Sequence, residues 1–253
     1  MDKLDGKVAL ITGAGQGVGQ GVAFALARAG AAIAVTGRTE AKLARTVEQI
    51  RGFGGTAEAI VCDISDTAQI TETVERTVEL LGGVDILVNN ASLNPLGPLL
   101  DLTPELMEKA YRSGPIAALH AMQAVYPSMK ARGGGSIVNM VSSAAVRWDM
   151  SGYGGYASVK EALRSLSRTA AAEWGIDGIR VNAVAPHALS PGLQWWTETH
   201  PDEAAEFVRS IPLRRIGDPE QDIGRAVAWI VSDDARYLTG ATVPLDGGQA
   251  RWG

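Results

Sequence analysis

Short apolar runs alternate with helix-length stretches along almost the whole chain, and that alternation leaves few folds open. "KVALIT" (7–12) ends at glycines and reads as a strand buried on both faces. "QGVAFALARAG" (20–30) follows with helical spacing and closes on Gly30, a residue suited to a helix C-terminus. "AAIAVTG" (31–37) is a second buried strand, and 39–55 is an amphipathic helix with Thr39 as its N-cap. The pattern continues with a strand within 56–66, a helix at 67–82 and a strand at 84–92. Helices near 103–112 and 116–131 precede a strand at 136–143 and a helix at about 156–174. A strand at 179–186, a helix at 219–232 and a strand within 241–248 complete the series. Strands alternating with helices imply right-handed crossovers in one parallel sheet. The expectation is a single Rossmann-like, doubly wound α/β domain over 1–253, with about seven strands and helices on both faces. Ligands of such sheets lie outside the carboxyl ends of the strands, at the switch point.

Composition narrows the function classes. With 46% hydrophobic and 20% charged residues in 253, the chain can bury a full core. A net charge of −5 argues against nucleic-acid binding, which needs a basic surface to displace counterions. Cys62 is the only cysteine, so no intramolecular disulfide forms. No apolar run reaches the length of a membrane span. The expectation is a soluble, cytoplasmic protein with no membrane or nucleic-acid partner. His120, His187 and His200 stand without metal-ligand company, so no metal site is expected.

"TGAGQGVG" (12–19) joins the first strand to the first helix. Glycines allow a tight turn and close approach of backbone to a phosphate, and a helix N-terminus offers free N–H groups to a pyrophosphate. Strict G-x-G-x-x-G spacing fails at Val18; the pattern present is T-G-x-x-x-G-x-G through Thr12, Gly13, Gly17 and Gly19. Tyr156 and Lys160 are four residues apart and share a helix face, whereas Gly154 and Gly155 separate Tyr153 from the same helix.

Together with "NNAS" (89–92), Ser143, "IRVNAVAP" (179–186), "PLRRIGDPEQDI" (212–223) and "YLTGATVPLDGG" (237–248), these motifs resemble the short-chain dehydrogenase/reductase family from about residue 5 to 249. The resemblance extends to reductases of 3-oxoacyl-[acyl-carrier-protein] type. It implies a bound nicotinamide dinucleotide and a homotetramer. Cofactor contacts carried over with it are Thr12, Gly13, Gly15, Gln16, Gly17, Val18, Gly19, Asp63 (to the adenine amino group, or else a helix N-cap), Ile64, Asn90, Ala91, Pro186 and Leu189, with Tyr156 and Lys160 at the nicotinamide end. Ser92 stands where the family usually has glycine.

Cofactor choice is read at the end of the second strand. An acidic residue there binds a ribose 2′-OH, and an arginine accommodates a 2′-phosphate. Gly37 occupies the place of the acidic residue and Arg38 follows it, which favours NADP(H) over NAD(H). Gln16 departs from the basic residue that many NADP-preferring relatives carry in the glycine loop.

An isolated phenol titrates near 10, and a neighbouring ammonium favours the phenolate. Tyr156 is therefore expected to exchange a proton with the substrate oxygen, with Lys160 lowering the phenol's pKa and holding the nicotinamide ribose. Ser143, thirteen residues before Tyr156, is the family's oxygen-polarising serine by spacing; its neighbour Ser142 is the alternative. The family's fourth residue, an Asn whose backbone holds a relay water, falls on Gly114. Gly114–Pro115 should break the helix and free a carbonyl for that water, with Ser113 as an assistant.

The segment 190–212 falls where the family places a substrate lid. Trp195 and Trp196 in it, with Trp148 and His187, are expected to line the substrate pocket. Paired tryptophans suggest an apolar or aromatic ketone or alcohol. A 3-oxoacyl thioester is the alternative substrate, although no strongly basic pocket is evident. A non-catalytic NADP(H)-binding scaffold or redox sensor is the alternative of another class.

Overall fold

The computed structural model describes residues 4–147 and 151–252. Its strands are β1 (Val8–Thr12), β2 (Ala32–Gly37), β3 (Ala57–Val61), β4 (Ile86–Asn89), β5 (Gly135–Met140), β6 (Ile179–Pro186) and β7 (Thr242–Leu245). The intervening helices are α1 (Gly17–Arg28), α2 (Glu40–Gly52), α3 (Thr67–Leu81), α4 (Pro104–Tyr111), α5 (Ala117–Ala131), α6 (Gly154–Trp174), α7 (Pro191–Thr199), α8 (Pro201–Ser210) and α9 (Arg225–Val231). The strands form one sheet in the order β3-β2-β1-β4-β5-β6-β7, and every pairing is parallel. Strand order reverses between β1 and β4, which opens the switch-point crevice beside the glycine loop.

Both sheet faces are covered, so the inner strands are mostly apolar. Successive side chains of a strand point to opposite faces. Ala9 and Ile11 of β1 thus join Val22, Leu26 and Ile230 on one side. Leu10 joins Leu87, Met122 and Val125 on the other. A polar thread crosses this core without an orphaned group: Asn89 Nδ2 donates to Asn139 Oδ1 (2.8 Å), and Asn139 Nδ2 donates to Ser167 Oγ (2.8 Å).

Local features follow their residues. Gly30 sits just past α1 with φ +102°, a conformation that favours glycine. Thr39 holds the N-cap position of α2 with no side-chain capping bond. α4 and α5 are joined by a kinked π-type segment, Arg112–Ile116, in which Gly114 leaves helical geometry ahead of Pro115. The region 190–212 is not irregular: Ser190 caps α7 by accepting from Leu193 N (3.2 Å), and α8 follows directly. No described helix is long and apolar enough to cross a membrane. The described residues also contain no cluster of potential metal ligands.

Candidate active site

The turn from β1 to α1 is built for close approach. Gly13 (φ +69°) and Gly17 (φ +57°) both take the left-handed conformation. A Cβ on Gly13 would stand 2.9 Å from Asn90 Nδ2 and 3.0 Å from Ala91 Cβ. The loop is tied to the end of β4: the Thr12 hydroxyl accepts from Asn90 N (3.0 Å) and Ala91 N (3.1 Å), and Asn90 Nδ2 donates to Thr12 O (3.0 Å). Gln16 at the α1 N-cap makes no side-chain capping bond, and the first turn carries no acidic residue. Its N–H groups and the positive end of the helix dipole therefore suit an anion.

Gly13, Gln16, Gly17 and Val18 line one end of a cleft of about 900 Å³, near the top of the usual range for small-molecule sites. Gly37, Arg38, Asp63 and Ile64 form the adjoining wall, and Asn90 and Ala91 the floor. Thr12, Gly15, Gly19 and Leu189 were expected among these contacts but do not line the cleft. Thr12 acts beneath the loop as described. A Cβ on Gly19 would lie 2.5 Å from Gly13 O, so this glycine serves loop packing. Gly15 backs onto Lys42, and Leu189 gives its N–H to Gly217 O (2.9 Å). Asp63 accepts from Ser65 N (2.9 Å) and Ser65 Oγ (2.8 Å), bonds that hold its carboxyl below the ordinary value. The α3 N-cap is Asp66, not Asp63.

Gly37 is not required by space, since a Cβ there would meet only ordinary contacts, the nearest being Leu43 Cδ2 at 3.4 Å. Beside the glycine loop, Lys42 Nζ of α2 donates to Gln16 Oε1 (2.5 Å).

At the other end, Tyr156 and Lys160 rise on one face of α6 into the same cleft. The serines correct the expectation from spacing. Ser143 borders the cleft, but its side chain is turned inward: the residue is 2% exposed and Oγ donates to Asp246 Oδ2 (2.9 Å). Ser142 is the serine hydrogen-bonded to the Tyr156 hydroxyl. Asp246 also collects Gly248 N (3.0 Å), Ala250 N (3.1 Å) and Trp252 Nε1 (3.3 Å). Trp252 is thus packed within the chain on Leu163 and its neighbours.

The electrostatics also differ from expectation. Burial pushes the Tyr156 phenol above its ordinary value, with Ser142 offsetting part of that rise. Burial draws the Lys160 ammonium down to about 8. Lys160 Nζ is directed at Met140 O (2.9 Å) and Ser92 Oγ (3.1 Å) and lies 5.6 Å from the Tyr156 ring centre. With burial raising the phenol above its ordinary value, Tyr156 stays protonated at neutral pH.

His187 and Pro186 line the cleft beyond Tyr156. His187 packs edge-on against Phe207 (5.2 Å between ring centres). His187 Nδ1 and Gln249 Nε2 are buried without a hydrogen-bond partner, and both residues face this cleft. Trp195 and Trp196 do not line it. Trp195 is 62% exposed, and Trp196 packs on Phe207 and His200. The aromatic walls are instead Phe207 and Tyr153. Trp148 lies outside the described residues. Lys109, Arg112 and Arg147 also line the cleft, giving it a more basic rim than the sequence suggested.

Ser92, Lys42, Phe207 and Asp246 escaped sequence reasoning as site residues. Only Ser92 carried a signal, as a departure from the family's glycine. The other three reach the site through tertiary packing.

Comparison with known proteins matches this picture over the whole chain. Residues 13–250 fit the family model described as enoyl-(acyl carrier protein) reductase. A 12alpha-hydroxysteroid dehydrogenase of Clostridium sp. is 37% identical over 259 residues, covering 99% of each chain. A solved 7 alpha-hydroxysteroid dehydrogenase, complexed with NADH and 7-oxo glycochenodeoxycholic acid, superposes with a TM-score of 0.91 at 34% identity, covering 98% of this chain and 95% of that one. A blue fluorescent protein from a metagenomic library, in complex with NADPH, gives a TM-score of 0.90 at 34% identity, covering 98% and 100%.

Proposed function

This chain belongs to the short-chain dehydrogenase/reductase family, oxidoreductases of carbonyl and alcohol groups, and on that premise we propose that it is an NADP(H)-dependent reductase of an apolar or aromatic ketone. The observation that carries the proposal is the Tyr156 hydroxyl, bonded to Ser142 and opening, with Lys160, into the cleft that begins at the glycine loop.

The residues fit a dinucleotide. The loop between Thr12 and Gly19 has no room for a Cβ at Gly13, and the α1 N-terminus offers uncapped donors to a pyrophosphate. Arg38 beside the vacant side of Gly37, with Lys42 behind Gln16, suits a 2′-phosphate better than a bare 2′-hydroxyl. The nicotinamide, when bound, supplies or accepts the hydride. Tyr156, kept protonated by burial, donates its proton to the oxygen of the ketone as that oxygen gains charge. Ser142 hydrogen-bonds the same oxygen, and Lys160 supports Tyr156 from the buried side. General acid help of this kind is worth roughly 10²–10⁴-fold.

In this reading the chain is one catalytic unit over 1–253, with 190–212 as its lid. Phe207 is the lid's aromatic contribution to the pocket, beside Ser190, Pro191 and Leu193, and His187 and Gln249 offer unpaired polar groups to the substrate. Assembly as a homotetramer belongs to the same proposal; exposed Leu99, Leu100 and Trp229 provide apolar contact surface. A second reading, reduction of a 3-oxoacyl thioester, is favoured by Lys109, Arg112 and Arg147 on the rim, which suit a carrier's phosphate. The test is NADPH oxidation with a panel of aryl ketones, a ketosteroid and acetoacetyl-CoA, repeated with NADH. Turnover of the ketones with NADPH preferred supports the first reading. Turnover of acetoacetyl-CoA alone selects the second, and none of either removes both.

A further inference from the structure

We infer that Ser92 is the group through which Lys160 exchanges protons with the solvent of the cleft, in place of a relay at the break before α5. The inference rests on the reductase reading above and adds a residue to it.

Lys160 is 4% exposed, so a proton must reach it through a neighbour. Of the two hydrogen bonds that its Nζ donates among the described residues, one goes to a carbonyl, Met140 O, which passes no proton onward. The other goes to the Ser92 hydroxyl at 3.1 Å, which can both give and take one. Ser92 borders two spaces: the open cleft, and a small cavity of about 20 Å³ that it shares with Lys160, Gly114 and Val159. Its hydroxyl donates to Asn94 Oδ1 (2.7 Å), and Asn94 is exposed at the cleft. The hydroxyl therefore stands between the buried amine and water.

The alternative route lacks its side chain. A Cβ on Gly114 would lie 2.6 Å from Val159 Cγ1, so the residue before Lys160 on α6 occupies the room that an asparagine side chain at 114 would need. The Gly114 carbonyl accepts a backbone N–H at the start of α5. Ser113, expected to assist the relay, is committed elsewhere: its Oγ accepts from Leu93 N (3.1 Å) and donates to Lys109 O (3.0 Å). That first bond holds the segment carrying Ser92 in place. Ser92, Gly114 and Val159 thus form one arrangement in which the hydroxyl takes over from the helix break.

The proton balance is simple. During ketone reduction Tyr156 loses a proton to the substrate oxygen, and the Lys160 ammonium is the source of its replacement. The neutral amine then takes the Ser92 hydroxyl proton as an N–H bond forms, while the Ser92 oxygen takes one proton from cleft water. One solvent proton enters per carbonyl reduced, with no change in electron count at these groups.

The test compares wild type, Ser92→Ala and Ser92→Thr, with NADPH and the ketone that wild type reduces fastest. Each is scored by kcat, KM and the solvent deuterium isotope effect on kcat, and Lys160 is titrated by NMR in the free protein. Ser92→Ala should lose tenfold or more in kcat with KM within twofold, show an enlarged isotope effect and titrate Lys160 at lower pH. Ser92→Thr, which keeps the hydroxyl, should stay within threefold of wild type. An alanine variant with unchanged kcat and unchanged Lys160 titration overturns the inference while leaving the reductase reading intact. A threonine variant as slow as alanine also overturns it, since a hydroxyl then does not rescue. A wild type that reduces no ketone removes the reductase reading itself.

Discussion

Two adjacent serines should separate cleanly under mutation. Ser142→Ala removes the hydroxyl bonded to Tyr156, which in the proposed mechanism also bonds the reacting oxygen. Loss of one donor directed at developing charge costs roughly 10²–10³ in kcat. The fold should be little affected, because Ser142 borders the cleft and its other recorded bond is a local one from Ala144 N (3.2 Å). Ser143→Ala removes instead a buried bond to the Asp246 carboxylate at 2.9 Å, leaving that carboxylate with the N–H groups of Gly248, Ala250 and Trp252. A hydrogen bond to a charged group is worth about 1.5–3 kcal/mol, which for a chain of this size corresponds to a fall of about 3–6 °C in Tm. Its kcat should drop less than tenfold. Steady-state NADPH oxidation and differential scanning calorimetry on the two variants decide the matter. If Ser143→Ala loses a hundredfold in turnover while Ser142→Ala keeps it, the assignment from side-chain geometry is wrong and the thirteen-residue spacing was the better guide.

Gly37→Asp has room for its Cβ and places a carboxylate where a 2′-phosphate would sit, so the ratio of kcat/KM for NADPH over NADH should fall at least tenfold in initial-rate assays. Lys160 titrates near 8 in the fold against an ordinary 10.5, so the unfolded chain binds more protons between those values and stability rises with pH across that window. Lys160→Met should therefore raise stability at pH 7 by about 1–3 kcal/mol in urea titrations, flatten its dependence between pH 8 and 10 and abolish turnover. Phe207→Ala, which removes an aromatic wall of the cleft and the edge contact to His187, should raise KM for an aryl ketone about tenfold and leave KM for NADPH unchanged.

The frame was legible because its signals are local. Apolar runs with turn glycines place the strands, and the left-handed demand at Gly13 and Gly17 leaves a mark in residue type. The four-residue step from Tyr156 to Lys160 is a property of any helix. What sequence could not decide depends on side-chain direction at the ends of elements. Counting back from Tyr156 selects Ser143 only if the intervening loop has a standard length, whereas the hydroxyls are sorted by Asp246, which lies 103 positions from Ser143. The tryptophan pair looked like pocket lining, yet α7 turns Trp195 to solvent and Trp196 onto Phe207, so the segment's aromatic wall comes from the next helix, while α7 lines the cleft with Pro191 and Leu193. Proximity of ammonium to phenol suggested an acidic tyrosine; burial, invisible in sequence, moves both groups the other way.

Transfer of deuterium is the most direct test of the central claim, that Tyr156 protonates a substrate oxygen during hydride transfer across this cleft. NADPH carrying deuterium at the transferring position is mixed with a ketone and the protein, and the alcohol is weighed by mass spectrometry. Wild type should yield alcohol one mass unit heavier, and Tyr156→Phe should form it at least about 10³-fold more slowly while binding NADPH equally well. Equal rates in the two proteins, or alcohol without the label, would contradict the account.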